Sequence, residues 1–190
     1  MHLCDRINNK VRLSVRLLVR NYRGVFMERG YVCIYCGDGH GKSPAALGRA
    51  VLSAAQGKNV VIIRFLRGKG ISDSYLKRLE PEVKIFRFEK SDRNYDRLSD
   101  EEKAEETINI RNGINFAKKV LTTGECDLLI LDEILGLIDN RIITVPELKN
   151  LLDARDDETD IILTGISSDD EICMLADEVS KFETLKTKCE

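Results

Sequence analysis

The chain has 190 residues, of which 43% are hydrophobic and 33% charged, and its formal net charge is −2. This length suffices for one domain with a hydrophobic core. The slightly acidic balance argues against a general nucleic-acid binder. Since no apolar run approaches the roughly 18 residues that a membrane span needs, we expect neither nucleic acid nor a membrane as a partner.

Residues 1–30 are predicted to be a basic extension of the domain that follows. Four arginines recur there at near-helical spacing between aliphatic residues: Arg12, Arg16, Arg20 and Arg23. Three interpretations stay open for this segment. It is an arm that folds over the site described next, a targeting or membrane-surface segment, or a stretch upstream of a natural start at Met27.

The most informative stretch is residues 37–43, with the sequence GDGHGKS. It follows an apolar run, 31–36, predicted to be the first strand, and precedes a helical pattern over 41–56. Alternating glycines let a backbone turn sharply and direct its N–H groups inward. The helix that follows presents its positive end to the same anion. Strand, glycine loop and helix in this order predict a phosphate-binding loop.

Every residue of this loop is assigned to the nucleotide: Gly37, Asp38, Gly39, His40, Gly41, Lys42 and Ser43. Lys42 can reach phosphate oxygens as a point charge, and the Ser43 hydroxyl can ligate a divalent cation. The loop is a variant, because the consensus first glycine is replaced by Cys36. Pro44 is compatible with the helix, since the first turn does not use its N–H.

Two cysteines of the first strand, Cys33 and Cys36, form a lone CxxC motif. The six cysteines of the chain include no second pair at zinc spacing. We interpret them as reduced, mostly buried thiols of a cytoplasmic protein.

Strands and helices alternate in the middle of the chain. Residues 59–65 are a continuous apolar run typical of a buried parallel strand, and a basic loop follows at 67–70. Ligands bind at that edge of open α/β sheets. We predict a short helix over 72–80, a strand over 83–88 and a long helix over 99–122 that begins with a capping box.

An apolar run at 127–131 ends in the acidic pair Asp132 and Glu133. A hydrophobic strand with a terminal carboxylate is typical of the second motif of P-loop proteins, whose carboxylate reaches the cation directly or through water. We therefore predict that this strand lies beside the first strand.

The last third of the chain repeats the alternation. We predict a helix over 144–152, a strand over 160–165, a helix over 168–176 capped by Ser167 or Ser168, and an edge strand over 179–185. Alternation throughout the chain predicts an α/β fold with a mainly parallel sheet and helices on both faces. One nucleotide-binding domain is predicted to span 31–190.

The loop 37–43 and the later motifs together resemble one family, the P-loop ATP:corrinoid adenosyltransferases. The loop is similar to the GNGKGKT-type loop of that family. The similarity covers roughly residues 30–185, and its strength is the shared order of the motifs. Five further stretches match in register: 56–60, 65–68, 131–134, 162–165 and 176–179.

The resemblance implies a three-layer, RecA-like P-loop NTPase fold. It implies transfer of the 5′-deoxyadenosyl group of ATP to Co(I) of a corrinoid, with release of triphosphate, in cobalamin biosynthesis or salvage. The implied metal is magnesium or manganese, held by Ser43, Asp132 and Glu133, with Lys42 and Glu133 as the catalytic residues. The family also suggests a homodimer and a flavoprotein reductant. The acceptor stays open between cobalamin and cob(I)yrinic acid a,c-diamide.

Departures from the family pattern keep alternative functions open. His40 stands where the family loop has a second lysine, and histidine carries little charge at neutral pH. Pro44 and Ile166 also depart from the pattern, and the chain has no tryptophan, whereas aromatic residues shield the corrinoid in the family. One alternative is a diverged ATP-binding member that transfers nothing. The other is a different P-loop ATPase or kinase.

Overall fold

The computed structural model describes residues 30–66, 77–91, 93 and 95–186. The basic N-terminal segment before residue 30, the basic loop 67–70 and the first part of the predicted helix 72–80 lie outside the described residues. The last part of that helix is a single 3-10 turn, Lys77–Leu79.

Within the described residues, six parallel strands form one sheet. They are β1 (Val32–Cys36), β2 (Val60–Arg64), β3 (Val83–Arg87), β4 (Leu128–Asp132), β5 (Asp160–Thr164) and β6 (Glu178–Lys181). Their order across the sheet is β3-β2-β4-β5-β1-β6. Every residue of β1, β2 and β4 is buried, because both faces of the sheet are covered, and this explains their apolar runs. The predicted α/β fold with a parallel sheet is confirmed.

The prediction that the strand with the acidic pair lies beside the first strand is wrong. β5 lies between them: it pairs with β1 on one side and with β4 on the other. Local sequence predicts that a strand is buried, but it does not encode which neighbours the strand takes. The carboxyl ends of β1 and β4 are therefore two strand spacings, about 10 Å, apart on the same sheet edge.

Five helices accompany the sheet in the described part of the chain. They are α1 (Lys42–Ala55), α2 (Asp100–Thr123), α3 (Ile134–Asp139), α4 (Val145–Leu152) and α5 (Asp170–Cys173). The capping box of α2 is present as predicted, and a second one begins α4. The sequence did not predict α3. The N-cap of α5 is Asp169, not Ser167 or Ser168, and this helix is shorter than predicted.

The core has two parts, one on each face of the sheet. On one face, Ala46 and Ala50 of α1 pack against strand residues such as Ile62 and Ile130. On the other face, the larger core joins α2, α3 and α4 to the sheet around Leu129. Helices on both faces give the predicted three layers.

Each helix of the described ranges is too short or too polar to cross a bilayer.

Candidate nucleotide-binding site

The glycine-rich loop connects β1 to α1 at the carboxyl edge of the sheet. Gly37 and Gly41 have φ angles of +102° and +131°, a backbone region that side-chain-bearing residues rarely adopt. Gly41 is also the N-cap of α1, and its carbonyl accepts from the Ala45 N–H at 2.8 Å. Cys36, where the consensus has a glycine, is the last buried residue of β1. The turn itself begins one residue later than the consensus predicts.

The side chain of Lys42 is turned into this loop. Its Nζ donates to the Gly37 carbonyl at 2.6 Å and to the Gly39 carbonyl at 3.1 Å, and the residue is only 8% exposed. These carbonyls hold the ammonium beside the first turn of α1, whose N–H groups have no partner inside the helix. A fixed positive charge next to such N–H groups suits a polyphosphate.

The remaining loop residues lie around this charge. Ser43 is half-buried in the first turn of α1, next to Lys42, while Asp38 and His40 are exposed. The predicted nucleotide-binding residues therefore form one continuous turn. Within it, the Lys42 ammonium faces inward, whereas the side chains of Asp38 and His40 face solvent.

The outer edge of the loop is attached to two neighbouring segments. The Gly37 N–H donates to the Ile166 carbonyl at 3.1 Å, in the segment after β5. The Gly39 N–H donates to the Phe182 carbonyl at 3.0 Å, and the His40 N–H donates to Thr184 Oγ1 at 3.0 Å, both after β6. The N–H groups of these three residues therefore point outward, contrary to the prediction that the loop directs its N–H groups inward. No local sequence signal singles out Phe182 or Thr184.

The two acidic residues at the end of β4 have different surroundings. Asp132 is 3% exposed. Its Oδ1 accepts from Thr164 Oγ1 at 2.8 Å, and its Oδ2 accepts from Arg64 Nε at 3.3 Å. Glu133 is half-buried and has a positive φ of 63°. Asp132 is therefore anchored inside the protein, whereas Glu133 is the carboxylate nearer to solvent.

The end of β5 joins the acidic pair to the loop. Thr164 Oγ1 accepts from the Glu133 N–H at 2.8 Å while it donates to Asp132, and the Gly165 N–H donates to the Tyr35 carbonyl at 3.2 Å. A Cβ on Gly165 would lie 2.5 Å from the Leu135 Cβ. Only glycine at this position therefore lets α3 pack closely against the end of β5. The structure thus places the loop 37–43 and the acidic pair at the same carboxyl edge of the sheet, where β5 links them.

The cysteine pair before the loop is not a reactive site. Burial raises the pKa of the Cys33 thiol to about 11, with a further contribution from Glu178, and burial also raises the pKa of Cys36. Both thiols stay protonated at neutral pH and are poor nucleophiles. This agrees with their interpretation as buried, reduced thiols.

No three His, Cys, Asp or Glu side chains of the described residues are grouped so that they could hold a metal by themselves. Magnesium does not require such a group, because it is commonly bound by one or two protein oxygens together with substrate phosphates. The Ser43 hydroxyl and the Glu133 carboxylate are donors of this kind.

A parallel α/β sheet with a glycine loop, a buried lysine and a helix N-terminus at its carboxyl edge defines a P-loop nucleotide-binding protein. The family model of the ATP:corrinoid adenosyltransferases BtuR/CobO/CobP matches residues 28–190. The chain belongs to this family, as the motif resemblance predicted.

Relatives from three bacteria agree with this assignment. A corrinoid adenosyltransferase of Escherichia coli strain K12 is 28% identical over 159 residues, covering 84% of this chain and 79% of the relative. The corrinoid adenosyltransferase CobA of Salmonella typhimurium is 27% identical with the same coverage. A corrinoid adenosyltransferase of Pseudomonas aeruginosa is 23% identical over 167 residues, covering 84% of this chain and 77% of the relative.

A solved structure supports the fold. A KaiC-like protein of Pyrococcus horikoshii OT3 superposes with a TM-score of 0.54 and 17% identity, covering 83% of this chain and 75% of that protein. At this identity the likeness concerns the fold alone.

Proposed function

We propose that this chain transfers the 5′-deoxyadenosyl group of ATP to Co(I) of a corrinoid and releases triphosphate. The observation that carries the proposal is the Lys42 ammonium, held inside a glycine loop at the N-terminus of α1, in a chain whose family match spans 28–190.

The proposed reaction makes specific demands on the protein. The electron pair of Co(I) attacks ribose C5′, a cobalt–carbon bond forms, and the C5′–O bond breaks so that its electron pair leaves with the triphosphate. The protein need not activate water. It must hold the triphosphate, offset its negative charge and fix C5′ in line with cobalt. We assign the phosphates to the loop 37–43 and the charge compensation to Lys42.

The metal that accompanies ATP is proposed to be magnesium or manganese. Of the three predicted ligands, Ser43 and Glu133 would hold it directly, since hydroxyl and carboxylate oxygens are the donors that hard cations prefer. Asp132 is proposed to act indirectly, because both of its carboxylate oxygens already accept hydrogen bonds. A bound cation would neutralise part of the phosphate charge. Asp132 is buried against Arg64 and Thr164. Through Thr164, which binds the Glu133 N–H, it would hold the backbone of Glu133 in place.

Further parts of the proposal follow from the family. The acceptor is cobalamin or its precursor cob(I)yrinic acid a,c-diamide, and a flavoprotein supplies the reducing electrons. The enzyme is a cytoplasmic homodimer, in which residues 31–190 form the catalytic domain and 1–30 an extension.

The visible spectrum of cobalt tests the transfer directly. Chemically reduced cobalamin is incubated with the protein, ATP and magnesium or manganese. We expect the Co(I) absorption to be replaced by that of an alkylcobalamin. ATP binding without a spectral change would instead support a diverged, inactive member. Phosphate release without a corrinoid would support a different ATPase or kinase.

The metal assignment is tested with two glutamates, Glu133 directly after β4 and Glu125 shortly before it. Glu133→Gln should raise the metal concentration needed for half-maximal transfer about tenfold or more, because it removes a charged ligand. Glu125→Gln is the matched control, since Glu125 is exposed before the amino end of the same strand. Equal metal dependence in the two variants would contradict the role of Glu133.

A further inference from the structure

The segment that follows β6 runs along the outer edge of the phosphate-binding loop. We call residues 182–184 the strap. The Phe182 N–H donates to the Cys36 carbonyl at 2.8 Å, which extends the pairing of β6 with β1. The Phe182 carbonyl and Thr184 Oγ1 then accept from the N–H groups of Gly39 and His40. Two successive N–H groups of the loop are therefore bound by the strap.

The strap also explains why two loop positions are glycine. A Cβ on Gly37 would lie 2.4 Å from the Phe182 carbonyl oxygen, and a Cβ on Gly39 would lie 2.7 Å from the same oxygen and from the Glu183 nitrogen. The obstructing atoms are backbone, which cannot turn aside as a flexible side chain can. A side chain at Gly39 would therefore force the loop and the strap apart.

The aromatic ring of Phe182 makes a third kind of contact. It lies 5.5 Å from the ring of Tyr35, centroid to centroid. Its Cδ1 is the nearest atom to a Cβ built on Gly41, at 3.3 Å. The strap thus contacts the strand before the loop and the loop itself, and its ring lies beside Gly41, the N-cap of α1.

We propose that Phe182 and Thr184 are positioning residues of the phosphate-binding loop. They bind the outward N–H groups of Gly39 and His40. The N–H groups at the start of α1, which have no partner inside the helix, are left for the phosphates. A loop fixed before binding loses less conformational freedom when the ligand arrives. This role rests on the proposed function, because it concerns the loop that would hold ATP.

The first test changes one hydroxyl at the exposed end of the strap. Thr184→Val keeps the shape of the side chain but removes the acceptor for the His40 N–H, whereas Thr184→Ser keeps the hydroxyl. Calorimetry measures the affinity for ATP and for inorganic triphosphate. We expect binding about three- to tenfold weaker in Thr184→Val, the range for one hydrogen bond, and near-normal binding in Thr184→Ser.

A distant threonine supplies the control for this substitution. Thr122 is exposed at the end of α2, and its hydroxyl is also hydrogen-bonded, to the Lys118 carbonyl at 3.0 Å. Thr122→Val should leave ATP binding unchanged. In steady-state kinetics, Thr184→Val should raise the KM for ATP more than it lowers kcat, because the Lys42 ammonium that offsets the triphosphate charge is unchanged.

The second test removes the whole strap. A chain that ends after Lys181 lacks it, whereas a chain that ends after Lys186 lacks only residues beyond those described. We expect the shorter chain to bind triphosphate more weakly than Thr184→Val does and the longer one to bind normally. Thermal unfolding establishes that both chains are folded.

The outcomes separate this inference from the proposed function. Wild-type protein that binds neither ATP nor triphosphate would overturn both. Normal wild-type binding with unchanged binding in Thr184→Val and in the folded shorter chain would overturn only the positioning role. Tighter binding in these variants would also overturn it, because the strap would then compete with phosphate for the same N–H groups.

Discussion

Two polar arrangements lie at the carboxyl edge of the sheet, and they are built in opposite ways. The loop 37–43 works through backbone groups and one lysine, and it leaves Asp38 and His40 exposed. The buried network, which we define as Arg64, Asp132 and Thr164, is made of side chains at the ends of three strands, each at most 6% exposed. Substitutions in the loop should therefore affect ligand binding, whereas substitutions in the buried network should affect folding.

The largest expected effect is on the loop side of this comparison. Lys42→Ala removes the one ammonium held inside the loop. We expect adenosyl transfer to fall about 10²- to 10³-fold, the usual loss for one preorganised charge-stabilising group. Thermal unfolding should change little. Steady-state kinetics and a melting curve measure the two quantities.

Lys58 provides the matched lysine for that experiment. It lies in the turn before β2, where its Nζ is 3.6 Å from Asp160 and 42% of its side chain is exposed. Lys58→Ala should retain wild-type transfer. If Lys42→Ala retained a transfer rate within twofold of wild type, the proposed role of the loop 37–43 in the reaction would be contradicted.

In the buried network, Asp132→Asn should mainly reduce stability. The change removes the negative charge that faces Arg64, and breaking one partner of a buried ion pair typically costs about 3–5 kcal/mol. Urea denaturation measures the free energy of unfolding. The exposed pair Lys58–Asp160 gives the contrast, since Lys58→Ala should cost less than about 1 kcal/mol. Equal losses of unfolding free energy in Asp132→Asn and Lys58→Ala would contradict the claim that the buried pair stabilises the protein more than the exposed pair.

Thr164 belongs to the buried network and also contacts Glu133. Thr164→Val keeps the side-chain shape but removes the hydroxyl shared by Asp132 and the Glu133 N–H. We expect a loss of about 1–3 kcal/mol in the free energy of unfolding, since buried polar groups lose a partner. Thr164→Ser, which keeps the hydroxyl, should lose less. Equal losses in the two variants would show that the hydroxyl carries no stabilisation.

The smallest expected effect lies outside both arrangements, at the start of α4. The Thr144 N–H and Arg111 lower the pKa of Glu147 below its ordinary value of 4.5. A lowered folded-state pKa stabilises the protein above the unfolded value, and this contribution is lost as the pH falls through the folded one. Glu147→Gln should therefore cost less than about 1 kcal/mol at pH 7, and this cost should shrink as the pH falls below 4.5. A difference from wild type that grows toward acid would contradict the assignment.

The loop was predictable because its information is local. Glycines, a lysine and a serine stand between an apolar run and a helical pattern, and each step follows from neighbouring residues. The capping box at Ser99 and Glu102 was predictable for the same reason. The later motifs could be matched to the family because the match depends on their order along the chain, which is read directly from the sequence.

The buried network could not be predicted because it depends on strand order and register. Arg64 and Asp132 each end an apolar strand with a charge, and this is the signal that sequence offers. Only the pairing of β2 with β4 places the two at the same register. The strap shows the same limit, since Phe182 and Thr184 reach the loop through the pairing of β6 with β1.

The most direct measurement follows the phosphorus of ATP during one turnover with chemically reduced cobalamin. Phosphorus-31 NMR distinguishes triphosphate from diphosphate and orthophosphate. If the chain transfers an adenosyl group from ATP held in the loop 37–43, intact triphosphate appears in equal amount with the new cobalt–carbon bond. Orthophosphate as the product, or ATP consumed in the absence of corrinoid, would contradict that claim.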